Sequence, residues 1–313
     1  MKIAFFTEGH WYGKVPENHP NMRTDLAWIH LLDADHYCLY GDLPTIKYDI
    51  GIIIIPKNRV NIPLENIKKI CTKVAIMQEG PHDLWTDYTL GDQLAYLNLH
   101  SNVDFILCHN KYDRNYYFGL FNKPTYVMPP AMVDTILDKT IVRKKAEDRK
   151  LAIIGGNMCH WYNGMTSFIV AQEYSDPVYV PSMGRKIPGE ERLQGLKHLP
   201  YMVWSDWIKK LNDFSIGVHL MPTVAAGTFS LNCAYLGIPC IGNELVDSQL
   251  TCFPYLSIKI NDITYIKKLV SILKNDIKTY QFYSEEAIDM YYKVYSSKIF
   301  VKNMTEIFET ILS

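Results

Sequence analysis

Short apolar runs closed by glycine or proline alternate with amphipathic stretches along most of this chain. That alternation restricts the fold more than any other feature. Ile3-Ala4-Phe5-Phe6 breaks at Thr7-Glu8-Gly9-His10, and Ile50-Gly51-Ile52-Ile53-Ile54-Ile55 stops at Pro56. The runs at 74–77, 105–108 and 125–128 end in the same way, at Gln78-Glu79-Gly80-Pro81, His109-Asn110 and Pro129-Pro130. Between them lie helical stretches at 24–32, 64–71, 92–100 and 113–121. Strands that are apolar throughout are buried on both faces, as in parallel sheets built from right-handed βαβ units. The pattern therefore predicts an α/β protein.

A second series opens at Leu151-Ala152-Ile153-Ile154 and again runs into glycines, Gly155-Gly156-Asn157. It continues through a helix at 164–173, the strand Val178-Tyr179-Val180, a polar loop at 184–191, a helix at 204–212, a strand at 216–220 and a helix at 229–236. The tail, 285–312, is mostly helical, with apolar and Tyr positions three and four apart. Two such series predict two Rossmann-like domains facing across a cleft, 1–140 and 150–284, followed by a helical segment, 285–313. A length of 313 residues is comfortable for two cores. The charged run Arg143-Lys144-Lys145-Ala146-Glu147-Asp148-Arg149-Lys150 reads as a solvated linker between them.

Composition narrows the function. A net charge of −1 leaves no global positive field for nucleic acid or membrane surfaces, only local patches such as Lys111, Arg114, Lys123 and Arg143 to Lys145. The seven cysteines form no C-x-x-C pair and sit in or beside apolar runs, as buried thiols do in a reducing compartment. The longest apolar run is far too short to span a bilayer, and the N-terminus goes directly into a strand. A cytoplasmic protein without integral membrane association is expected, in the host cytoplasm if the source is viral.

In doubly wound sheets, ligands sit at the carboxyl ends of the strands, and four polar stretches lie there. The first, with Glu8, Gly9, His10 and Trp11, is not a G-x-G-x-x-G loop and suits acceptor binding. The second holds Glu79, His82 and Asp83, three titratable groups able to take a proton from an acceptor hydroxyl. In the third, Gly155, Gly156 and Asn157 offer backbone amides to a diphosphate. The fourth runs from His219-Leu220-Met221-Pro222 to Gly227-Thr228-Phe229-Ser230. Its Gly-Thr turn opens a helix whose amides, with the Thr228 and Ser230 hydroxyls, suit an anion. Arg185 and Lys186 can add positive charge.

The stretch from Phe214-Ser215-Ile216-Gly217-Val218-His219-Leu220-Met221-Pro222 to Gly237-Ile238-Pro239-Cys240-Ile241 resembles the donor-domain signature of GT-B glycosyltransferases. Where that family carries a ribose-binding glutamate, this chain has Asn232. The chain is also similar to the DNA β-glucosyltransferases of T-even phages, in the opening Met1-Lys2-Ile3-Ala4 and in Ile154-Gly155-Gly156. Their catalytic aspartate follows a strand similar to Lys73-Val74-Ala75-Ile76-Met77-Gln78, which implies that role for Glu79. The resemblance implies a GT-B fold with a C-terminal helix returning to the first domain. It also implies a nucleoside diphosphate sugar, a UDP-sugar, as co-substrate.

The donor would be held by Gly155, Gly156, Asn157, Arg185, Lys186, His219, Pro222, Gly227, Thr228, Phe229, Ser230 and Asn232. The acceptor is either a hydroxymethylated base in DNA or a glycan or small molecule. No resident cofactor and no metal are expected. Asp33-Ala34-Asp35, similar to the metal-binding D-x-D of another glycosyltransferase fold, sits at a helix end, where it reads as structural. A nucleotide-sugar 2-epimerase and a non-catalytic sugar-binding module remain as alternatives.

Overall fold

The computed structural model describes residues 1–9, 12–57, 59–78, 80–181, 186–224 and 226–313. They form two compact units, Met1–Val133 with Ser297–Ser313, and Asp134–Ser296.

The first unit is built on strands β1 (Ile3–Thr7), β2 (Gly13–Lys14), β3 (Asp35–Cys38), β4 (Tyr48–Ile55), β5 (Cys71–Gln78), β6 (Phe105–Cys108) and β7 (Thr125–Val127), in the sheet order β2-β3-β1-β4-β5-β6-β7. The isoleucine run becomes the central strand β4, parallel to β1 and β5, with Ile50 opposite Ile3 and Ile52 opposite Ala75. Its side chains are buried because helices cover the sheet: α1 (Asp25–Leu31), α2 (Leu64–Lys68), α3 (Leu90–Ser101) and α4 (Lys111–Phe121). Thr89 and Asn110 cap α3 and α4 by accepting from the Asp92 and Asp113 amides. One strand departs from the all-parallel expectation. β2 pairs antiparallel with β3 at the sheet edge, where Gly13 adopts φ +83°.

The second unit contains α5 (Asp134–Leu137), β8 (Ala152–Ile154), α6 (Gly164–Ala171), β9 (Val178–Pro181), β10 (Leu196–Leu199), α7 (Trp204–Leu211), β11 (Ile216–His219), α8 (Thr228–Leu236), β12 (Cys240–Asn243), α9 (Asp247–Cys252), β13 (Ser257–Ile258), α10 (Ile263–Asn275) and α11 (Ile277–Met290). Its sheet is parallel, in the order β10-β9-β8-β11-β12-β13. Sequence patterning did not reveal β10, a half-buried edge strand of mixed polarity, or α10.

The charged run 143–150 does not link the two units, although Lys144, Lys145, Glu147, Asp148 and Lys150 are exposed. The chain divides at Val133 and Asp134, so the run lies inside the second unit. Arg149 is buried and donates to the Leu236 and Gly237 carbonyls at the end of α8, while Arg143 donates to Tyr235 O at 2.6 Å. Two guanidinium groups thus satisfy carbonyls that a helix C-terminus leaves open and oppose its negative dipole end.

The tail is also more divided than its periodicity suggests. After α11 comes a single π-helical turn, Tyr291–Tyr295, and then α12 (Ser297–Leu312), which belongs to the first unit. There Phe308 is fully buried with its ring 6.5 Å from that of Phe105, and Ser297 Oγ donates to Met132 O at 2.8 Å. Among the described residues, no helix is long and apolar enough to cross a membrane.

Candidate functional site

In the second unit the glycines mark close approach. Gly155 continues beyond β8 by donating its amide to Val218 O at 2.9 Å. A Cβ there would lie 2.5 Å from His219 Cγ and 2.7 Å from Phe229 Cδ1, so the backbone is pressed against two rings. Gly156 turns the chain with φ +73°, and the buried Asn157 accepts from the Cys159 amide at 3.0 Å.

Gly227 precedes α8 with φ +77°, and any Cβ would strike Ser248 Oγ. Its carbonyl accepts from Leu231 N, Ser230 Oγ and Ser248 Oγ at 2.9–3.0 Å. Ser230 therefore turns its hydroxyl into the turn, where Ser248 Oγ also meets it at 2.8 Å. Thr228 opens the helix half-exposed, and no side chain caps α8. The first amides of an uncapped helix have no intrahelical acceptor and sit at the positive end of the dipole.

His219 ends β11 beside this turn, with its ring 5.5 Å from Phe229 and 6.2 Å from Tyr162. Its Nε2 is sealed from solvent, with no partner among the described residues. Burial lowers its pKa to about 4, so the imidazole is neutral at pH 7 and has one donor and one acceptor nitrogen.

Asn232 is buried, and in the amide orientation that satisfies both its ends its oxygen accepts from Trp207 Nε1 at 3.0 Å and its nitrogen donates to Thr228 O at 3.2 Å. Pro222 and Lys186 are exposed. Glu190 and His198, which the sequence did not single out, lie 2.8 Å apart, and Glu190 also accepts from the Ile187 amide at 2.6 Å. This pair braces the chain just after Lys186.

The first unit gathers titratable groups at its strand ends. Thr7 Oγ1 meets His36 Nε2 at 2.6 Å and accepts from the Gly9 amide at 3.1 Å. Burial, then the nearby His19, lowers the pKa of His36 to about 4. Beside them is a cavity of about 760 Å³ lined by Glu8, Gly9, Cys38, Tyr40 and Arg59, with the Arg59 guanidinium 5.5 Å from the centroid of Tyr40.

After β5, His82 Nδ1 lies 2.8 Å from Asp113 Oδ1, on the first turn of α4. Asp113 is buried, and Asn110 Nδ2 donates to its other oxygen at 3.1 Å. Burial raises the Asp113 pKa to about 6, with His82 and Asn110 opposing the rise. The His82 ring lies 4.4 Å from Tyr116 and 5.3 Å from Tyr112. Asp83 is exposed on the turn that follows. The chemistry available is that of an imidazole oriented through one nitrogen by a buried carboxylate.

Asp113 was not among the sequence candidates, because nothing local ties it to a residue 31 positions earlier. His10, Trp11, Glu79 and Arg185 lie outside the described residues. Among the described residues, no three His, Cys, Asp or Glu side chains are grouped to hold a metal. Of the D-x-D carboxylates, Asp35 accepts from Tyr48 at 2.7 Å, and both aspartates lie in ion-pair range of Lys14.

No family model matches the chain, and no curated protein matches it in sequence. Solved structures do match in fold. An alpha-glucosyltransferase in complex with UDP and a 13-mer DNA containing a HMU base superposes with a TM-score of 0.65 at 13% identity, covering 99% of both chains. Sucrose-phosphate synthase from Thermosynechococcus elongatus gives 0.68 at 8%, again with 99% of both chains. S. aureus TarM in complex with Fondaparinux, alpha-GlcNAc-glycerol and UDP gives 0.58 at 13%, covering 82% of this chain and 55% of that one. With two Rossmann-like units and a C-terminal helix returned to the first of them, the chain has the GT-B glycosyltransferase fold.

Proposed function

We propose that this protein is a glycosyltransferase that moves a sugar from a UDP-sugar to an acceptor hydroxyl. The observation that carries the reading is the uncapped start of α8, set behind a left-handed glycine and beside a His219 nitrogen that has no partner among the described residues. A diphosphate supplies the acceptors those amides lack. The reading assigns the donor to the second unit, at Gly155, Gly156, Asn157, His219, Gly227, Thr228 and Phe229, with Arg185 and Lys186 adding charge. The leaving diphosphate is then stabilised by fixed amides and cations, without a resident cofactor or metal.

The first unit takes the acceptor in the cavity at Glu8, Tyr40 and Arg59, with His10 and Trp11 nearby in sequence. The proton acceptor belongs to the group Glu79, His82 and Asp83. The buried Asp113 favours His82, because a carboxylate on Nδ1 fixes the tautomer that leaves Nε2 as the base. The alpha-glucosyltransferase likeness, over nearly the whole of both chains, favours a hydroxymethylated base in DNA as the acceptor.

The test is UDP release from UDP-glucose, with and without hydroxymethylated DNA, glycans or small alcohols. Release that depends on acceptor, with sugar found on it, supports the transferase. Release or isomerisation without acceptor indicates an epimerase or hydrolase. Binding without turnover toward any acceptor indicates a sugar-binding module.

A further inference from the structure

Away from the strand ends, the second unit carries an exposed cluster of aromatic rings. Tyr255 lies in the turn Pro254–Leu256 and packs against Tyr283, with centroids 5.8 Å apart and planes at 24°. Phe282 is 6.2 Å from Tyr255 and 5.5 Å from Tyr283. Tyr265 of α10 stands within electrostatic reach of Tyr283, as do Glu286 and Asp276. Tyr255 is 56% exposed and Phe282 53%, so the rings are not simply the edge of the core.

The backbone beneath them is firmly held. α11 buries Tyr280 and Ala287, Tyr280 donates to Ser215 O at 2.7 Å, and Ser284 donates to Gly237 O at 2.6 Å. The Ser284 contact pins α11 at the C-terminal end of α8, the opposite end from the amides assigned to the donor, and the Tyr280 contact ties it to the start of β11.

We propose that Tyr255, Tyr265, Phe282 and Tyr283 form a binding platform for a neutral glycan, distinct from the strand-end site and independent of which acceptor is used. Hexose rings present C–H faces that pack on aromatic faces, while their hydroxyls need partners at the rim. Three of the four rings end in hydroxyls, and Glu286 adds an acceptor.

Charge offers a nucleic acid no net attraction: Glu286 and Asp276 act on Tyr283, against the exposed Lys268 one helical turn after Tyr265. Lys278 lies beside Asp276, whose carboxylate is occupied in capping α11 through the Lys278 and Thr279 amides. Area argues against a second copy. Three half-exposed rings and the less exposed Tyr283 offer roughly 400 Å², about half of what one partner contributes to a stable protein interface. A small, rigid and amphipathic surface suits weak stacking of a few sugar units.

The experiment is an aromatic-carbon NMR titration of the full chain with maltoheptaose, cellohexaose and N-acetylchitohexaose. At least one is expected to give saturable shifts confined to the four rings. The double variant Tyr255→Ala with Phe282→Ala should weaken that binding tenfold or more, with an unchanged circular dichroism spectrum and unchanged UDP affinity. Tyr255→Phe, which keeps the ring face, should retain most of it. Failure of all three glycans to shift these rings would overturn the proposal. So would binding that survives the double variant. The same holds if the rings shift with protein concentration alone, or bind a single-stranded DNA oligonucleotide more tightly than any of the glycans.

Discussion

At the strand ends of the second unit, glycine backbone is packed against rings and hydroxyls: Gly155 on His219 and Phe229, Gly227 on Ser248. At the strand ends of the first unit, histidines are held by polar partners: His36 by the Thr7 hydroxyl, and His82 by the Asp113 carboxylate. Bare backbone amides suit a ligand that brings its own negative charge and needs only to be held. Paired acids and bases suit a hydroxyl that must give up a proton. On the proposed reading, two units of related topology divide the labour of one reaction, and each can be disabled separately.

The largest expected effect lies in the first unit. His82→Gln should lower turnover by about 10²–10⁴-fold, the usual contribution of a general base, with donor affinity nearly unchanged. Glu79→Gln and Asp83→Asn are the parallel variants. If Glu79→Gln collapses turnover while His82→Gln does not, the base is Glu79, and the buried Asp113 pair has a structural role. If all three variants remain active, the division of labour itself is wrong.

Acid should separate the units next. Burial lowers the pKa values of His36, His100 and His109, all in the first unit, to about 4. A depressed folded pKa contributes stability that is present above the ordinary histidine value and is lost as the pH falls toward the folded one. Asp113 acts oppositely. Its raised value of about 6 means that the folded state takes the proton first, so stability from this group rises as the pH falls below 6. Three losses against one gain leave a net slope of about 2.7 kcal/mol per pH unit at most, between roughly pH 6 and 4. In the second unit His219 is the matching buried histidine, while His198 is lowered but partly exposed. Amide exchange at pH 7 and pH 5 should therefore show the first unit losing more protection. Equal loss in both units would contradict this.

Smaller effects belong to the second unit. Thr228→Val removes a hydroxyl at the start of α8, and UDP-glucose affinity should fall by about 1.5–3 kcal/mol, measured by calorimetry. Gly155→Ala places a methyl against the His219 and Phe229 rings and should cost about 1–3 kcal/mol of stability, measured by denaturant titration. An unperturbed Gly155→Ala protein would mean that the loop relaxes freely and does not hold a ligand closely.

The fold was largely legible because its signal is local. The run Ile50–Ile55 and the glycines after Ile154 carry their meaning within a few residues, as does the Gly-Thr turn before α8. What was hidden depends on partners distant in sequence. Arg143 and Arg149 look like a solvated charge run until the open carbonyls of Tyr235, Leu236 and Gly237 are placed beside them. Ser230 looks like a ligand hydroxyl until Ser248 is brought within 2.8 Å. Asn232 sits where a family glutamate was expected, but its amide is bound to the Trp207 indole and the Thr228 carbonyl. His82 could be nominated by its position after a strand, whereas its partner Asp113 emerges only when β5 and α4 are assembled.

The central claim is that the second unit holds a nucleoside diphosphate sugar at the start of α8. Amide hydrogen exchange with and without saturating UDP-glucose tests it most directly. The expected result is new protection at Gly155, Gly156, Asn157, Thr228, Phe229 and Ser230, reduced in the Thr228→Val protein at the same ligand concentration. Absence of binding, or protection confined to the first unit, would contradict the account.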